Sequence, residues 1–426
     1  MSDKVRWNLV ALGGLSLGLT ASVLFLAVPT SGWLTGLAFL AGAIAYAMMA
    51  ANLFLAIRRP VLEKLLGPLD RVYVAHRVIG TGLVGVLLLH LVITPIASAV
   101  EHGENVLNSL GVAAVLGALG TLLLLASIAL SINTKVPYDR WLRVHLATGA
   151  AFLVWTAYIL IAASRWLSLT TPLGCLLILF ALLGLASLAV RVWDKARGGI
   201  PYTVVETLGR ERGREIVLHP DGARRIARHR PGQFMFLTAN AETHPFTLTS
   251  AAGADDLRVL IRPSGDWSRH AQTRLTVGDR VRVDGPFGAF TPSVNAGTAA
   301  PQVWIAGGAG ITPFLSSLRS ANGMQQGQVE LVVAARDATD VPCWQELSTS
   351  AATKPWLTLT PAFSALGGRL DSEAVSRLVA RQPEDAEWYL CGPAGLTDIV
   401  VRALDRLPAA RVHRELYEWR APMRSR

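Results

Sequence analysis

The chain has 426 residues, of which 51% are apolar and 16% charged, and its mean hydropathy is +0.39. This length predicts two or three domains, and the apolar composition excludes a disordered chain and argues against one soluble domain. The three cysteines form no CxxC pair, which excludes a disulfide scaffold and an iron–sulfur or zinc site held by four thiolates.

The net charge of +10 is concentrated in the more apolar half of the chain. Residues 1–200 carry 14 Lys and Arg against 7 Asp and Glu, whereas residues 201–426 carry 26 against 23. A nucleic-acid surface requires a basic stripe on a soluble face, whereas basic residues beside long apolar runs indicate membrane topology. We therefore expect membrane lipid, and not nucleic acid, as a partner.

Six apolar stretches approach or exceed the roughly 18 to 20 residues that span a bilayer. They are residues 9–28, 33–57, 74–97, 110–131, 142–163 and 172–191. Thirteen basic residues fall on one side of the six resulting helices and only Arg165 falls on the other. The first stretch could imitate a signal peptide, but its length favours a retained helix. We expect an integral protein of a bacterial inner membrane, with both termini and the soluble part in the cytoplasm.

Beyond Gly198 the pattern becomes that of a soluble module with two parts. Short alternating runs separated by Gly, Pro and Asp predict a small antiparallel β-barrel. From about residue 300 the order of strand, glycine turn and helix predicts a parallel α/β sheet. The predicted fold is a multidomain membrane protein with an all-α six-helix bundle over residues 1–197, a β-barrel domain over 198–297 and an α/β domain over 298–426.

Histidines at membrane depth are candidates for binding a prosthetic group. His76 and His90 are fourteen residues apart, which on one helix gives a rotation of about −40° and a rise of about 21 Å. Both therefore face the bundle, at two depths. His145 begins a helix of the same direction, so it shares the cytoplasmic end with His76, and two facing imidazoles can ligate a haem iron. Alternatively, these histidines bond backbone carbonyls or extend to the interface, and His102 lies solvated in a loop.

The segment His244-Pro245-Phe246-Thr247, followed by Ser250, has the composition of a flavin site. A flavin requires an apolar wall, hydroxyl groups near N5 and the ring edge, and exposed backbone amides. These residues provide all three. Taken alone, the segment could equally be an ordinary turn.

Two further segments indicate phosphate binding. Arg262, Gly265 and Ser268 provide a base, a glycine and a hydroxyl where turn amides can hold a diphosphate. A second glycine turn lies between a strand and a helix, where the backbone can approach a pyrophosphate beside a helix N-terminus. Its candidate residues are Gly307, Gly308, Gly310 and Thr312.

A later strand ends in Cys391 and Gly392. This position places a small polarisable side chain where a nicotinamide would meet a flavin. The alternative is that Cys391 is a buried apolar side chain.

Four motifs occur in a fixed order: His-Pro-Phe-Thr, Gly-Asp-Trp-Ser, Gly-Gly-x-Gly-Ile-Thr-Pro and Cys-Gly-Pro. Residues 200–426 therefore resemble the ferredoxin-NADP reductase superfamily. Six helices with spaced histidines before such a module resemble the ferric reductase and NADPH oxidase family. The resemblance implies a haem domain over 1–197, an FAD domain over 198–297 and an NAD(P)H domain over 298–426.

The resemblance also implies roles for individual residues. Those implied to bind FAD are His244, Pro245, Phe246, Thr247, Ser250, Arg262, Gly265 and Ser268. Those implied to bind the nucleotide are Gly307, Gly308, Gly310, Thr312, Gly392 and Arg336, which follows a strand where relatives often hold the adenosine ribose or its 2′-phosphate. Cys391, Thr247 and Tyr417 are the implied catalytic residues, with Tyr417 stacking on the flavin and Trp419 as the alternative.

One feature departs from the family pattern. Two-haem members carry a second histidine thirteen or fourteen residues after the first on the fifth helix, where this chain has Tyr158 and Ile159. We therefore expect one haem, held by His76 and His145. The alternative is a second, outer haem held by His90 with an unusual partner.

These features predict an NAD(P)H-dependent transmembrane oxidoreductase of the ferric-reductase-like type. NADPH, or else NADH, would give a hydride to FAD, and a b-type haem would take the electrons one at a time. Arg336 and the resemblance favour NADPH. The terminal acceptor stays open between a ferric chelate, dioxygen, a quinone and a periplasmic partner protein.

Other functions stay open at this point. A superoxide-generating NADPH oxidase is expected to need an outer haem open to dioxygen, and the missing histidine counts against it. An electron-transfer module would use its helices mainly as an anchor and would need a second protein for turnover. A channel or transporter would leave the nucleotide motifs unexplained.

Overall fold

The structure is a computed structural model of the whole chain. It describes residues 32–102, 112–132, 136, 138–163, 170, 172–209, 213–240, 242–263, 266–292, 300–321, 327–405, 408 and 411–415. The chain divides into two compact units. The helical unit comprises Asp3–Gly67 and Arg71–Arg197, and the reductase unit is formed mainly by Gly198–Arg426.

Long runs of Leu, Ala and Val form the helices of the helical unit. They are α1 (Trp33–Leu55), α2 (Pro60–Leu66), α3 (Leu69–His102), α4 (Val112–Ile132), α5 (Tyr138–His145), α6 (Ala147–Ala163) and α7 (Pro172–Arg197). Pro60 occupies the first turn of α2, where its missing N–H leaves no bond unmade. Tyr46 of α1 stacks on Phe152 of α6 at a centroid distance of 5.0 Å, within a core to which α1, α3, α4, α6 and α7 contribute.

Among the described residues, four helices are long and apolar enough to cross a membrane. They are Trp33–Leu55, Leu69–Glu101, Pro172–Arg197 and the segment Arg140–Ile161, which runs from α5 through the turn at Leu146 into α6; Val115–Ser131, within α4, is a shorter apolar stretch. The predicted stretch 9–28 lies outside the described residues. The chain therefore has membrane-spanning character, and the number of six spans stays a prediction.

Two expectations about local structure in this unit need correction. His145 ends α5 and does not begin the long helix, because a turn at Leu146 separates α5 from α6. The Thr148 hydroxyl donates to the His145 carbonyl at 2.6 Å and so occupies an acceptor at this break. His102 is the last residue of α3 and not part of a loop, because the helix continues beyond Pro95.

Helix α1 is fixed to α3 at its first turn. Gly32 precedes α1 and has no side chain to cap it. The Glu101 carboxylate of α3 replaces that cap by accepting from the amides of Leu34 (2.9 Å) and Thr35 (3.0 Å) and from the Thr35 hydroxyl (2.6 Å). A negative charge at a helix N-terminus is also favoured by the helix dipole.

The reductase unit begins with a six-stranded antiparallel sheet. Its strands are β1 (Ile200–Leu208), β2 (Arg214–Pro220), β3 (Phe234–Ala239), β4 (Glu242–Thr247), β5 (Leu257–Ile261) and β6 (Arg280–Phe287), with α8 (Asp266–Arg274) before β6. The order is β4-β3-β6-β1-β2-β5, and one bridge between Leu248 and Val259 joins the regions of the two outer strands. The antiparallel arrangement is confirmed, and closure into a barrel stays a prediction.

The second sheet of the unit is parallel, as predicted. Its strands are β7 (Gln302–Gly307), β8 (Val329–Ala335), β9 (Leu357–Phe363), β10 (Glu387–Cys391) and β11 (Val412–Arg414). Its helices are α9 (Thr312–Ser320), α10 (Trp344–Thr353), α11 (Ser372–Ala380) and α12 (Ala394–Ala403). The order β11-β10-β7-β8-β9 reverses direction between β7 and β10. Ligands of such sheets bind at the carboxyl ends of the strands beside this reversal.

Candidate functional site

The glycine turn after β7 lies against the end of β10, at the point where the strand order reverses. A β-carbon placed on Gly310 would lie 2.0 Å from the Cys391 carbonyl oxygen, and one on Gly392 would lie 3.0 Å from the Gly307 Cα. The two backbones therefore touch, and glycine is required at Gly310 by protein packing as well as by any approach to a ligand. The structure thus brings together two of the predicted nucleotide motifs.

Helix α9 begins directly at this turn. Gly308–Ile311 forms one 3₁₀ turn, and the Thr312 hydroxyl donates to the Ala309 carbonyl at 3.0 Å. The amides at the start of α9 and the positive end of its dipole therefore lie beside the turn, which is the arrangement that attracts a phosphate. Thr312 acts on the turn itself in this structure, since its side chain is 5% exposed.

Arg262 is also brought to this turn, although it lies in the part of the reductase unit that contains the antiparallel sheet. A β-carbon placed on Gly308 would lie 3.2 Å from Arg262 Nη1. Arg262 directly follows β5, and Ser268 lies on α8 a few residues further on. A guanidinium beside open backbone amides suits a diphosphate. The predicted residue Gly265 lies outside the described residues.

The predicted flavin segment occupies β4 and the residues after it. His244 stacks on Trp267 of α8 at a centroid distance of 4.2 Å, and Phe246 tilts against the same indole at 5.6 Å. Side chains alternate along a strand, so Pro245 points to the opposite face. Burial lowers the pKa of His244 and so favours the neutral imidazole, and this effect outweighs the opposing effect of its bond to Glu242. The His-Pro-Phe residues therefore do not form one continuous wall.

Thr247 and Ser250 are both buried, at 4% and 2% exposure. The Ser250 carbonyl accepts from His229 Nε2 at 3.2 Å and from the Ser316 hydroxyl of α9 at 2.7 Å. The Ser250 hydroxyl lies 3.5 Å from the same His229 nitrogen. Burial lowers the pKa of His229, against the opposing effect of its bond to the Ser250 carbonyl, and so favours the neutral ring, which has one ring proton to donate. Sequence reasoning missed His229, for which no local motif gave a signal.

An ion-pair network that includes one buried carboxylate, Glu215, lies next to this segment. Arg319 of α9 donates to both oxygens of Glu215 on β2, at 2.5 and 3.2 Å, and to both oxygens of Glu346 on α10, each at 2.7 Å. Its Nη1 also donates to the Thr249 carbonyl at 3.0 Å. The Glu215 side chain is only 5% exposed. Burial acts to raise the pKa of Glu215, but the bonds and charge of Arg319, with Thr249 and Arg258, hold that pKa below its ordinary value.

Cys391 and Arg336 have opposite environments. Cys391 is fully buried in the core cluster that includes Trp304 and Phe314, which is the environment expected of a buried apolar side chain. Its predicted role beside a nicotinamide stays a proposal. Arg336 follows β8 and is exposed. The next residue, Asp337, is occupied as the cap of a 3₁₀ turn, accepting from the amides of Thr339 and Asp340.

In the helical unit, His76 and His145 face one another. Their ring centroids are 6.1 Å apart, with ring planes at 69°. His76 Nδ1 bonds the Asn52 carbonyl of α1 at 3.1 Å, and His145 Nδ1 bonds the Ser131 hydroxyl of α4 at 3.2 Å. Metal-binding histidines are typically oriented by such a bond from the nitrogen that does not bind the metal.

The chemistry of this pair fits a haem. No group of three or more His, Cys, Asp or Glu side chains placed to hold a metal ion occurs among the described residues. Two imidazoles from different helices, 6.1 Å apart at their ring centroids, have the chemistry to hold a haem iron. The structure thus brings the two predicted residues together, and their role as haem ligands stays a prediction.

Nδ1 of His90 also bonds a backbone carbonyl of α1, but no histidine faces His90 in the described part of the chain. Its Nδ1 bonds the Ala38 carbonyl of α1 at 2.8 Å, and the Thr94 hydroxyl lies 3.3 Å away. A β-carbon on Gly42 would lie 3.0 Å from the ring, so α1 packs closely on it. The alternative prediction, that these histidines bond backbone carbonyls, is therefore correct for one ring nitrogen, Nδ1, of both His76 and His90. The predicted residues Tyr417 and Trp419 lie outside the described residues.

Comparisons with known proteins found three family models that match successive parts of the chain. A family model described as "Ferric reductase like transmembrane component" matches residues 41–156, "FAD-binding domain" matches 215–310, and "Oxidoreductase NAD-binding domain" matches 304–402. The FAD/NAD-binding domain of nitric oxide dioxygenase from Vibrio cholerae has a TM-score of 0.42 and 22% identity, covering 52% of this chain and 99% of that one.

Two curated relatives show the range of similar proteins. The ferredoxin reductase component of 3-ketosteroid-9-alpha-monooxygenase from Mycobacterium tuberculosis is 33% identical over 214 residues, which are 47% of this chain and 58% of that protein. Respiratory burst oxidase homolog protein E from Arabidopsis thaliana is 28% identical over 191 residues, 38% of this chain and 19% of that protein. The chain thus spans little more than half the length of the first relative.

The fold and these matches define the chain as an NAD(P)H-dependent oxidoreductase with FAD-binding and NAD-binding domains. More particularly, these domains follow a ferric-reductase-like transmembrane component, which confirms the predicted resemblance to the ferric reductase and NADPH oxidase family.

The packing at Gly310 leads to a direct prediction. In Gly310→Ala the new methyl group would meet the backbone of Cys391, which cannot move away cheaply. We expect weaker nucleotide binding and a loss of stability of about 1–3 kcal/mol, as for other overpacked sites, measured by nucleotide titration and thermal unfolding. Gly395→Ala on α12 is the control, because no atom lies within 4 Å of its β-carbon. Wild-type affinity and stability in Gly310→Ala would contradict the prediction.

The buried carboxylate predicts an acid-sensitive reductase unit. Because folding lowers the pKa of Glu215, its stabilising contribution is present above the ordinary value of 4.5 and is lost as the pH falls through the lowered value. We expect Glu215→Gln to flatten this part of the stability profile and to cost about 3–5 kcal/mol near neutral pH. Urea unfolding followed by tryptophan fluorescence would measure this, with the exposed Glu373→Gln as control. A profile that keeps its wild-type slope in Glu215→Gln would disprove the assignment.

Proposed function

We propose that the chain is a membrane flavohaem oxidoreductase that passes electrons from NADPH through FAD to one b-type haem and on to an acceptor in or across the membrane. The observation that carries the proposal is the opposed pair of His76 and His145, with centroids 6.1 Å apart and each Nδ1 already bonded. This pair occurs in a chain that also has FAD-binding and NAD-binding domains.

The helical unit prepares both imidazoles for binding. The Asn52 carbonyl and the Ser131 hydroxyl fix the two ring orientations, and Trp141 stacks on His145 at 5.1 Å. Trp141 Nε1 also donates to the Ser131 hydroxyl at 3.0 Å, and that hydroxyl donates its own proton to the Ser127 carbonyl at 2.7 Å, so it acts as an acceptor toward His145 Nδ1. Each Nε2 is then the nitrogen available for iron. Bound haem would supply a carrier that takes one electron at a time.

The reductase unit prepares the other end of the path. Bound FAD would take two electrons together, as a hydride from C4 of the reduced nicotinamide to its N5, and release them singly. Arg262 and the amides at the start of α9 would hold phosphates, and Thr247 and Ser250 would contact the ring. We keep Cys391 as the residue beside the nicotinamide, and Tyr417, with Trp419 as alternative, as the residue stacked on the flavin.

The haem proposal predicts the behaviour of three histidine variants. We expect His76→Ala and His145→Ala each to lose the Soret band, because one imidazole cannot hold the iron from both sides. His90→Ala should keep it, and the purified wild-type protein should contain one haem per flavin. The exposed residue His219, bonded to Asp256, provides the control variant His219→Ala. A Soret band that survives loss of both His76 and His145, or two haems per flavin, would overturn this assignment.

The acceptor is proposed only by class. A ferric chelate, dioxygen, a quinone and a periplasmic protein all suit a one-electron donor in a membrane. The second candidate function is an electron-transfer module for a partner protein, because the 3-ketosteroid relative is named as the reductase component of a monooxygenase. Negligible NADPH turnover with small acceptors until a second protein is added would favour it. Superoxide release, tested by cytochrome c reduction that superoxide dismutase abolishes, would indicate an oxidase.

The membrane topology is also a proposal. Six spans, with the reductase unit in the cytoplasm of a bacterial inner membrane, follow from the basic residues on one side of the apolar stretches. In this arrangement the nucleotide is taken from the cytosol. His76 lies nearer to that side than His90, because α3 begins there and His90 is fourteen residues further on.

Arg336 predicts a preference between the two nucleotides. It is exposed at the end of β8, and Asp337, the adjacent carboxylate, is engaged by backbone amides. In Arg336→Ala we expect KM for NADPH to rise about 10-fold or more, because a hydrogen bond to a charged phosphate is lost. We expect KM for NADH to be unchanged. Arg377→Ala on α11 is a matched control, since Arg377 is exposed and its ion pair with Glu373 lies within the helix. An equal effect on both nucleotides would contradict this role.

A further inference from the structure

One face of α9 is bonded to the chain segment that directly follows the flavin motif. Ser316, Arg319 and Ser320 are spaced three and four residues apart and therefore lie on the same side of the helix. All three bond the segment Thr249–Ala252, which begins two residues after Thr247. The contact joins the nucleotide-binding part of the reductase unit to its flavin-binding part.

Each bond of this contact involves a backbone group of the segment. The Ser316 hydroxyl donates to the Ser250 carbonyl at 2.7 Å, and Arg319 Nη1 donates to the Thr249 carbonyl at 3.0 Å. The Ala252 amide donates to the Ser320 hydroxyl at 2.8 Å. Ser316 is fully buried and Ser320 is 8% exposed. Bonds to the backbone fix where the segment runs, whichever side chains it carries.

Glu215 completes the attachment from the other side. The Thr249 hydroxyl donates to Glu215 Oε1 at 2.5 Å, and the same oxygen accepts from Arg319. Thr249 is thus held twice, by its carbonyl to Arg319 and by its hydroxyl to Glu215. Glu346 bonds the remaining edge of the Arg319 guanidinium, so that side chain has little freedom to move.

The other end of α9 is the glycine turn. The helix has nine residues, so it extends about 14 Å as a rigid rod. Its first turn faces the proposed nucleotide phosphates and its last turn bonds the flavin segment. With both ligands bound, the distance between nicotinamide and flavin would therefore depend on how firmly α9 is attached to Thr249 and Ser250.

We propose that Glu215 and Arg319 are positioning residues for hydride transfer. They hold the flavin segment at a fixed place relative to the helix that presents the nucleotide, and they act on the reacting groups through that segment. This inference rests on the proposed function only in that Thr247 and Ser250 must contact the flavin ring. A misplacement of about 1 Å between reacting groups can cost about 100-fold in rate, so loss of the pair should appear in the transfer step.

The test is anaerobic stopped-flow reduction of the flavin by NADPH in the purified full-length protein. In Glu215→Gln and Arg319→Gln we expect the rate at saturating NADPH to fall about 10-fold to 100-fold, with the NADPH dissociation constant within about 2-fold of wild type. The charge-transfer absorbance between reduced nucleotide and flavin should weaken at unchanged FAD content. The loss of stability expected for Glu215→Gln does not decide between the two roles, because a purely structural role would leave the rate per bound flavin unchanged.

Matched variants make the outcome decisive. Glu373→Gln removes an exposed ion pair of α11 and should leave the rate unchanged. Ser316→Ala removes one bond to Ser250 without disturbing a charge, so it decides the case if the charged variants do not fold. We expect it to slow flavin reduction by a smaller factor. Wild-type rates per flavin in Ser316→Ala, or in folded Glu215→Gln and Arg319→Gln, would overturn the positioning role.

Failure of the proposed function would look different. A wild-type protein whose bound flavin is not reduced by NADPH or NADH would refute the proposed electron path itself. If instead the wild-type flavin is reduced, and the variants reduce their flavin at the wild-type rate, the electron path stands and the positioning role is rejected.

Discussion

The structure of the helical unit depends on the need to satisfy polar groups where no water is available. Helix α1 meets this need for α3 at three levels, through the Ala38 carbonyl for His90, the Asn52 carbonyl for His76, and its first-turn amides for Glu101. These bonds align the two helices along most of their length. They also fix which ring nitrogen of each histidine remains available.

The reductase unit meets the same requirement with an ion pair. A carboxylate as buried as Glu215 is costly unless it is paired. Its partner, Arg319, lies on α9, a helix that packs on the parallel sheet, whereas Glu215 lies on the antiparallel sheet. The two sheets are thereby joined at the flavin segment. The glycine turn adds a second junction, because Gly308 lies beside Arg262 and Gly310 lies on the backbone of β10. Both junctions lie close to residues that the chemistry would use.

Several site residues therefore have a structural role as well as a proposed chemical one. Gly310 is needed so that two backbones can touch, and Thr312 bonds the turn that precedes it. Cys391 fills the core beside Trp304, and His244 and Phe246 pack on Trp267. A motif recognised in the sequence marks the place of a site, but its residues need not all face the ligand.

The sequence alone determined the apolar helices, the change to sheets near Gly198 and the parallel order of the last domain, because these follow from local periodicity and composition. It also indicated the pairing of His76 with His145, since helix direction fixes depth. Only the tertiary structure decided their partners Asn52 and Ser131, the break at Leu146, and the bonding of Glu215 to Arg319, which are 104 residues apart. Such contacts depend on how distant segments pack, and no local pattern encodes which carbonyl, hydroxyl or guanidinium will be nearest.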